Sequence, residues 1–290
     1  MNAHITATHI EVHPISGSIG AEIHGVDLAH DLAPAAFDEI RRAFREHLVL
    51  FFPGQRLEPR QQTAFARRFG PLIIDPFMKS PDDSPELMVV VKEAHEKLAF
   101  GEGWHSDSTF LDRPPMASFL YARAVPPYGG DTMFANQYLA YEALSPGLRS
   151  VLDGLKAVHT SASYNVGIAS GRFGPMRTMK LRNDAVMDAA MQAKVEHPVV
   201  RTHPETGRKA LYVNRAYTVR FKDWSEEESW PLLEYLFEHA VRPEFTCRYR
   251  WATGTLAVWD NRCAMHNPVN DYHGQRREMH RVVAEGDRPV

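Results

Sequence analysis

Three residues in this chain have the types and spacing to hold a metal ion. His105 and Asp107 stand two apart in the run Gly103-Trp104-His105-Ser106-Asp107-Ser108-Thr109-Phe110. If that run is extended, alternate side chains share a face, and an imidazole and a carboxylate converge on one spot. Two donors hold an open-sided metal poorly. The best later partner is His266, which closes the run Trp259-Asp260-Asn261-Arg262-Cys263-Ala264-Met265-His266. Two imidazoles and one carboxylate on one face of an octahedron are how non-haem Fe(II) is held when it works on dioxygen, with the opposite face open. The same trio could hold Zn(II) and activate a water. In a chain with 15 His and 36 Asp plus Glu, a lone His-x-Asp tripeptide is a weak signal, so the surrounding sequence must decide.

The surroundings are those of a large globular domain. The 290 residues are 44% hydrophobic and 24% charged, ordinary values for a packed fold, and such a chain hides roughly 75% of its unfolded surface. The net charge of −3 suggests neither nucleic acid nor an anionic membrane as partner. No apolar run approaches the ~20 residues a membrane helix needs. The start, Met1-Asn2-Ala3-His4-Ile5-Thr6, has neither the basic nor the apolar part of a signal peptide, and a cytoplasmic protein is expected. Two cysteines, Cys247 and Cys263, make no disulfide framework and read as buried free thiols.

The elements that must position the three donors are mostly strands. Ile10–Val12 and Ala21–Ile23 flank a Ser-Gly-Ser turn, Leu48–Phe52 is a wholly apolar run, and Leu87–Val91 and Ala117–Arg123 are further strands. Val199–Thr202 and Ala210–Val213 follow, and Thr246–Trp251 with Thr255–Trp259 form a pair joined through Gly254. Arg281–Ala284 closes the series. Helices are inserted singly. Pro34–His47 carries the stripe Phe37, Ile40, Phe44, and Glu58–Phe69 turns Phe65 and Phe69 inward. Ser145-Pro146 starts a helix with Leu148, Val151, Leu152 and Leu155 inward. Ser225 and Glu228 make a capping box for a helix running to about Ala240. There is no regular strand–helix alternation, repeat or linker, so the expectation is one domain over 1–290. It is mainly β, a distorted double-stranded β-helix (jelly roll) with helices packed outside. Residues 161–192 lack periodicity, as a functional lid would.

Four ordered blocks now carry a resemblance: Trp104–Phe110; Gly129-Gly130-Asp131-Thr132; Trp259–Arg262 leading to His266; and Asn270-Asp271-Tyr272 with Arg276–Arg281. Together they resemble the taurine dioxygenase and 2,4-dichlorophenoxyacetate dioxygenase family of Fe(II)/2-oxoglutarate oxygenases, over about residues 10–289. The resemblance implies the jelly roll, Fe(II) on His105, Asp107 and His266, and 2-oxoglutarate and dioxygen as co-substrates in the three positions left open. The 2-oxo acid is oxidatively decarboxylated to succinate and carbon dioxide while a substrate C–H is hydroxylated.

The resemblance also supplies roles outside the trio. Arg277, eleven positions after His266, stands where the family's arginine takes the distal carboxylate of 2-oxoglutarate, with Thr132 as its companion. A permanently charged planar guanidinium suits a carboxylate. Arg281, four further on, corresponds to the arginine that holds the substrate's anionic head. The rival fate for each arginine is an ordinary ion pair. Asp75 takes the place of the taurine enzymes' sulfonate-binding histidine, and Gly101 that of an asparagine. Taurine is therefore disfavoured, and a bulkier or more apolar anion is expected, such as an aryloxyalkanoate, alkyl sulfate or sulfonate. Phe77, Met78, Phe110, Met176, Met179 and Tyr217 are candidates to line its pocket. Hydroxylation of a carbon bearing oxygen, nitrogen or sulfur gives an unstable product that releases the head group. A carboxylate at 107 argues against halogenation, where a small residue leaves room for chloride. The family often forms dimers or tetramers, so a homo-oligomer is expected. Against this stand a zinc hydrolase, a metal-containing jelly-roll binding protein, and an oxygenase for a betaine-type cation.

Overall fold

The computed structural model describes residues 9–74, 80–81, 83–161 and 194–290. Asp75, Phe77, Met78, Met176, Met179 and all of the 161–192 segment but Ser161 lie outside the described residues.

A seven-stranded sheet forms the larger layer. It contains β1 (Glu11–Pro14), β2 (Ala21–His24), β3 (Val49–Phe52), β4 (Met88–Lys92), β5 (Ala117–Ala124), β13 (Leu256–Asp260) and β15 (Arg277–Ala284), in the order β1-β2-β3-β13-β5-β15-β4. Facing it is a smaller sheet of β6 (Thr132–Asn136), β12 (Thr246–Tyr249) and β14 (Ala264–Pro268), in the order β12-β6-β14. Two lesser sheets complete the β-structure. β7 (Lys156–Thr160) pairs with β8 (Lys194–Pro198) and β11 (Thr218–Phe221), and β9 (Val200–Thr202) pairs with β10 (Lys209–Leu211). This is the distorted jelly roll, mainly β with helices outside.

The apolar run at β3 shows why the large sheet sits inside the molecule. All four of its residues are buried, because a strand sends alternate side chains to opposite faces and both faces are covered. Leu50 and Phe52 join the core beneath α1 (Pro34–His47) and α2 (Pro59–Arg67), while Val49 and Phe51 join the core between the sheets. β13 alternates in step, with Leu256 and Val258 toward the helices and Ala257 and Trp259 toward the interior. Phe37, Phe44, Phe65 and Phe69 form the edge-to-face cluster that fixes both helices to the sheet.

The sequence expectations and the fold differ at the Gly254 turn, at Val151, in the His105 run and at β14, a strand the sequence did not announce. The segments 246–251 and 255–259 are consecutive strands but do not pair. β12 pairs with β6 in the small sheet, and β13 sits between β3 and β5 in the large one. The turn at Gly254 is a crossing between layers, where the Gly254 amide donates to Ala122 and its carbonyl accepts from Gln55. Val151 is 54% exposed. The helix it occupies, α4 (Pro146–Leu152), is a short one after α3 (Gln137–Glu142), and it buries only Leu152 fully. The His105 run is also not an extended strand. His105 makes one bridge, residues 107–110 turn away, and Ser108 has φ 48. The last helix, α5 (Glu226–His239), follows the sequence closely. Ser225 Oγ accepts from the Glu228 amide, and the Ser225 amide donates back to the Glu228 carboxylate.

Candidate active site

His266 lies on β14, and a single β-bridge brings His105 beside it. Each backbone amide donates to the other's carbonyl, at 3.0 and 2.8 Å. The imidazole ring centroids are 4.2 Å apart. Asp107, in the turn that follows, points its Oδ1 back at both, 3.7 Å from Nε2 of His105 and 3.8 Å from Nε2 of His266. All three side chains are buried, and their donor atoms lie within 4.8 Å of one another. The spacing of His105 and Asp107 thus converges as expected, through a bridge and a turn instead of strand alternation. Nδ1 of His105 faces the Gly103 carbonyl at 2.8 Å, an arrangement that fixes the ring and leaves Nε2 as the free donor.

The electrostatics suit a cation at this point. Burial pushes the Asp107 carboxyl upward, but Arg281 foremost, then His266 and His105, outweigh it and hold the group well below the ordinary carboxylate range. Burial, with His105 adding to it, depresses His266 well below the ordinary imidazole value. A deprotonated carboxylate and a neutral imidazole are the forms a metal needs.

The second carboxylate oxygen is already occupied. Oδ2 of Asp107 accepts from Ser118 Oγ at 2.6 Å and sits 2.5 Å from Nη2 of Arg281. Arg281 therefore makes the ion pair that was the rival to a substrate role, and its partner is one of the three metal donors. Its Nε remains buried without a hydrogen-bond partner among the described residues.

Beside the trio is a small cavity lined by His105, His266, Thr132, Trp259, Arg277 and Arg281 among others. Arg277 and Arg281 both face it because they are four apart on β15, and Thr132 reaches it from the start of β6. Among the described residues Nε and Nη2 of Arg277 are buried with no partner, and burial lowers the guanidinium below its usual value, with Tyr272 and Asp131 opposing. Trp251 Nε1 donates to Thr132 Oγ1 at 2.9 Å. An indole nitrogen can only donate, so the threonine keeps its own proton to give. Arg277, through Nε and Nη2, and Thr132, through its hydroxyl, thus turn buried donors toward the cavity, an arrangement that fits a carboxylate.

Phe110 is buried against Tyr217, with ring centroids 5.1 Å apart, and Tyr217 stands edge-on to His105 at 6.1 Å. These aromatics therefore lie next to the trio. Gly101 is at the cavity wall with φ +76, and a Cβ built there would meet His105 Cε1 at 3.3 Å.

A second trio, His203, Asp260 and Cys263, also brings donor atoms together, but its chemistry is spent. Asp260 accepts three bonds from Arg262, one from its backbone amide and two from its guanidinium, and faces Nε2 of His203 at 3.1 Å. Burial foremost raises the Cys263 thiol well above its usual value, so no thiolate is on offer. Both cysteines are buried and free, as expected.

The sequence reasoning passed over Ser118, Asn261 and Trp251. The signal for Ser118 was a lone hydroxyl in a strand whose neighbours are apolar. Asn261 stands in the Trp259–Arg262 run, where sequence alone assigns it no role.

The family described as "Taurine catabolism dioxygenase TauD, TfdA family" matches residues 11–283. The chain is 36% identical over 285 residues to an alpha-ketoglutarate-dependent sulfate ester dioxygenase of Pseudomonas putida, covering 98% of this chain and 92% of that one. Among solved structures it resembles a taurine dioxygenase from Burkholderia xenovorans (TM-score 0.80, 38% identity, 97% of this chain and 93% of that one). It also resembles AAD-2 in complex with Mn(II) and N-oxalylglycine (TM-score 0.77, 30% identity, 97% of this chain and 98% of that one).

Proposed function

This chain belongs to the TauD, TfdA family of alpha-ketoglutarate-dependent dioxygenases, and from that premise we propose that His105, Asp107 and His266 hold its Fe(II) and that it hydroxylates a C–H of a small organic anion. Enzymes of this kind need Fe(II), 2-oxoglutarate and dioxygen. The observation that carries the residue assignment is one cavity lined by His105, His266, Arg277 and Thr132, with the Asp107 carboxylate converging on both imidazoles beside it. Bound Fe(II), with 2-oxoglutarate and dioxygen, supplies the oxidant.

The protein's part is to bind and orient. Arg277 receives the distal carboxylate of 2-oxoglutarate on its unpaired Nε and Nη2, and Thr132 adds a hydroxyl. Arg281 offers its unpaired Nε to the substrate's anionic group, while Nη2 stays with Asp107. Phe110 forms an apolar wall with Tyr217, and Asp75, outside the described residues, keeps its proposed place at the substrate head.

Within the anions we place sulfate esters first, because the sulfate ester relative matches across almost the whole chain; aryloxyalkanoates and sulfonates follow. Hydroxylation at the carbon bearing the ester oxygen gives a species that collapses to an aldehyde and sulfate. Per turnover, one alkyl sulfate, one 2-oxoglutarate and one dioxygen yield one each of aldehyde, sulfate, succinate, carbon dioxide and a proton. A betaine-type cation is disfavoured by Arg281. The zinc hydrolase and the binding protein leave the Arg277–Thr132 recess without purpose. We further propose a single domain over 1–290, a cytoplasmic location and a homo-oligomer; among the described residues no helix is long and apolar enough to cross a membrane.

The test is succinate release from 2-oxoglutarate under air with Fe(II) and ascorbate, across alkyl sulfates, taurine, aryloxyacetates and both aryloxypropionate enantiomers. Stoichiometric sulfate and aldehyde from one alkyl sulfate, abolished in Asp107→Ala, is the expected result. Succinate that no compound stimulates would sink the substrate class.

A further inference from the structure

The way Asp107 is held has a direction that can be read atom by atom. Trp259 Nε1 donates to Asn261 Oδ1 at 2.9 Å, and the Asp107 amide donates to the same oxygen at 3.3 Å. Both groups can only donate, so the Asn261 amide has one possible orientation. Its Nδ2 then faces Ser118 Oγ at 3.1 Å as a donor. Nη2 of Arg281 donates to the same Oγ, also at 3.1 Å. Ser118 Oγ accepts twice, and its single proton is committed to Oδ2 of Asp107, 2.6 Å away. Ser118 and Asn261 are fully buried and Trp259 is 2% exposed, so water does not compete.

We propose that Ser118, oriented by Asn261, is a positioning residue that confines Asp107 to one-oxygen metal ligation. The proposal rests on the reading of His105, Asp107 and His266 as the metal ligands. Oδ2 has two donors, Ser118 and Arg281, and both would have to be abandoned for it to swing to the metal. A carboxylate that used both oxygens would take a coordination position that the 2-oxo acid or dioxygen needs. Partners that orient ligands in this way typically cost 10–100-fold in metal affinity when removed.

The test uses apo full-length protein and Co(II), a visible-absorbing stand-in for Fe(II). Affinity is measured by competition with a chromophoric chelator, and the ligand-field spectrum is recorded for wild type and Ser118→Ala. Thermal unfolding of both apo proteins checks that the variant folds. Wild type is expected to bind one Co(II). Ser118→Ala is expected to bind at least tenfold more weakly and to show a changed band intensity, because the coordination number is no longer fixed. A Ser118→Ala protein with an unchanged spectrum, or with affinity within twofold of wild type, overturns the proposal. A wild-type protein that binds no Co(II), or binds it equally after Asp107→Ala, instead overturns the metal-ligand reading beneath it.

Discussion

Nη2 of Arg281 lies 2.5 Å from Oδ2 of Asp107, and both side chains are largely buried. One guanidinium thereby touches a candidate metal ligand and lines the cavity in which the substrate anion would sit. Charge balance explains the contact. Arg281 brings a full positive charge to a carboxylate that burial alone would push toward protonation.

Removing Arg281 should separate its two roles. In apo Arg281→Ala the carboxylate loses its buried partner, and a loss of about 3 kcal/mol in urea unfolding is expected. Saturating Co(II) should restore most of that, since the metal replaces the charge. The substrate's KM should rise by more than tenfold, while the KM for 2-oxoglutarate moves little. Equal increases in both constants would show that Arg281 serves the co-substrate pocket instead.

Arg277 should behave in the opposite way. Its guanidinium is buried with two nitrogens unpaired among the described residues, so its desolvation opposes folding, and a bound anion would offset that. Replacing a buried unpaired charge by an apolar side chain of similar length is often neutral or stabilising. Arg277→Met is therefore expected to unfold at the same temperature as wild type or higher, while 2-oxoglutarate affinity, by anaerobic calorimetry with Mn(II), falls by about 2–5 kcal/mol. A variant that loses stability but keeps its affinity would place the guanidinium in the scaffold.

How much of this was legible in the sequence depended on distance along the chain. Local signals held: the helix Pro34–His47 was bounded by its first-turn proline and apolar stripe, and α5 by its capping box. Motif order located His105, Asp107, His266, Arg277 and Thr132, which do share one cavity or its rim. Pairing partners were not legible. β12 and β13 look like a hairpin because Gly254 sits between them, yet sheet membership is set by partners more than a hundred residues away. β14 was missed because the strand bearing His266 is only five residues long and ends in Asn267-Pro268, with no apolar alternation. Ser118 and Asn261 meet across 143 residues, and only the folded chain shows that one fixes the other's proton.

Gly101 offers a probe of pocket size. Its backbone has φ +76, and a Cβ there would approach the His105 ring at 3.3 Å. Asparagine tolerates left-handed backbone better than most residues, so Gly101→Asn is the substitution with the best chance of folding. It should narrow the cavity beside His105. The expected result is a several-fold rise in KM for long-chain alkyl sulfates, with short substrates such as taurine less affected. An unchanged chain-length profile would place substrates away from this wall.

Acid sensitivity should trace to a histidine outside the cavity. His159 on β7 is fully buried; burial, then the neighbouring His197, depresses its pKa well below 6.5. Its Nδ1 faces Thr109 Oγ1 at 3.0 Å, and Asn214 donates to that same oxygen, which leaves the threonine's proton available to a neutral ring. Folded His159 thus stays unprotonated at pH values where the unfolded chain's histidine, near 6.5, takes up a proton. Its contribution to stability is complete above that value and is lost as pH falls below it, by about 1.4 kcal/mol per pH unit. Urea unfolding of chelator-treated wild type and His159→Gln at pH 7.5 and 5.5 isolates the effect, because every other group titrates alike in both proteins. His159→Gln should be the less stable protein at pH 7.5, yet lose about 1.4 kcal/mol less than wild type on moving to pH 5.5. Equal losses in the two proteins would mean that His159 is protonated in the fold at pH 5.5, and that Thr109 does not hold it neutral.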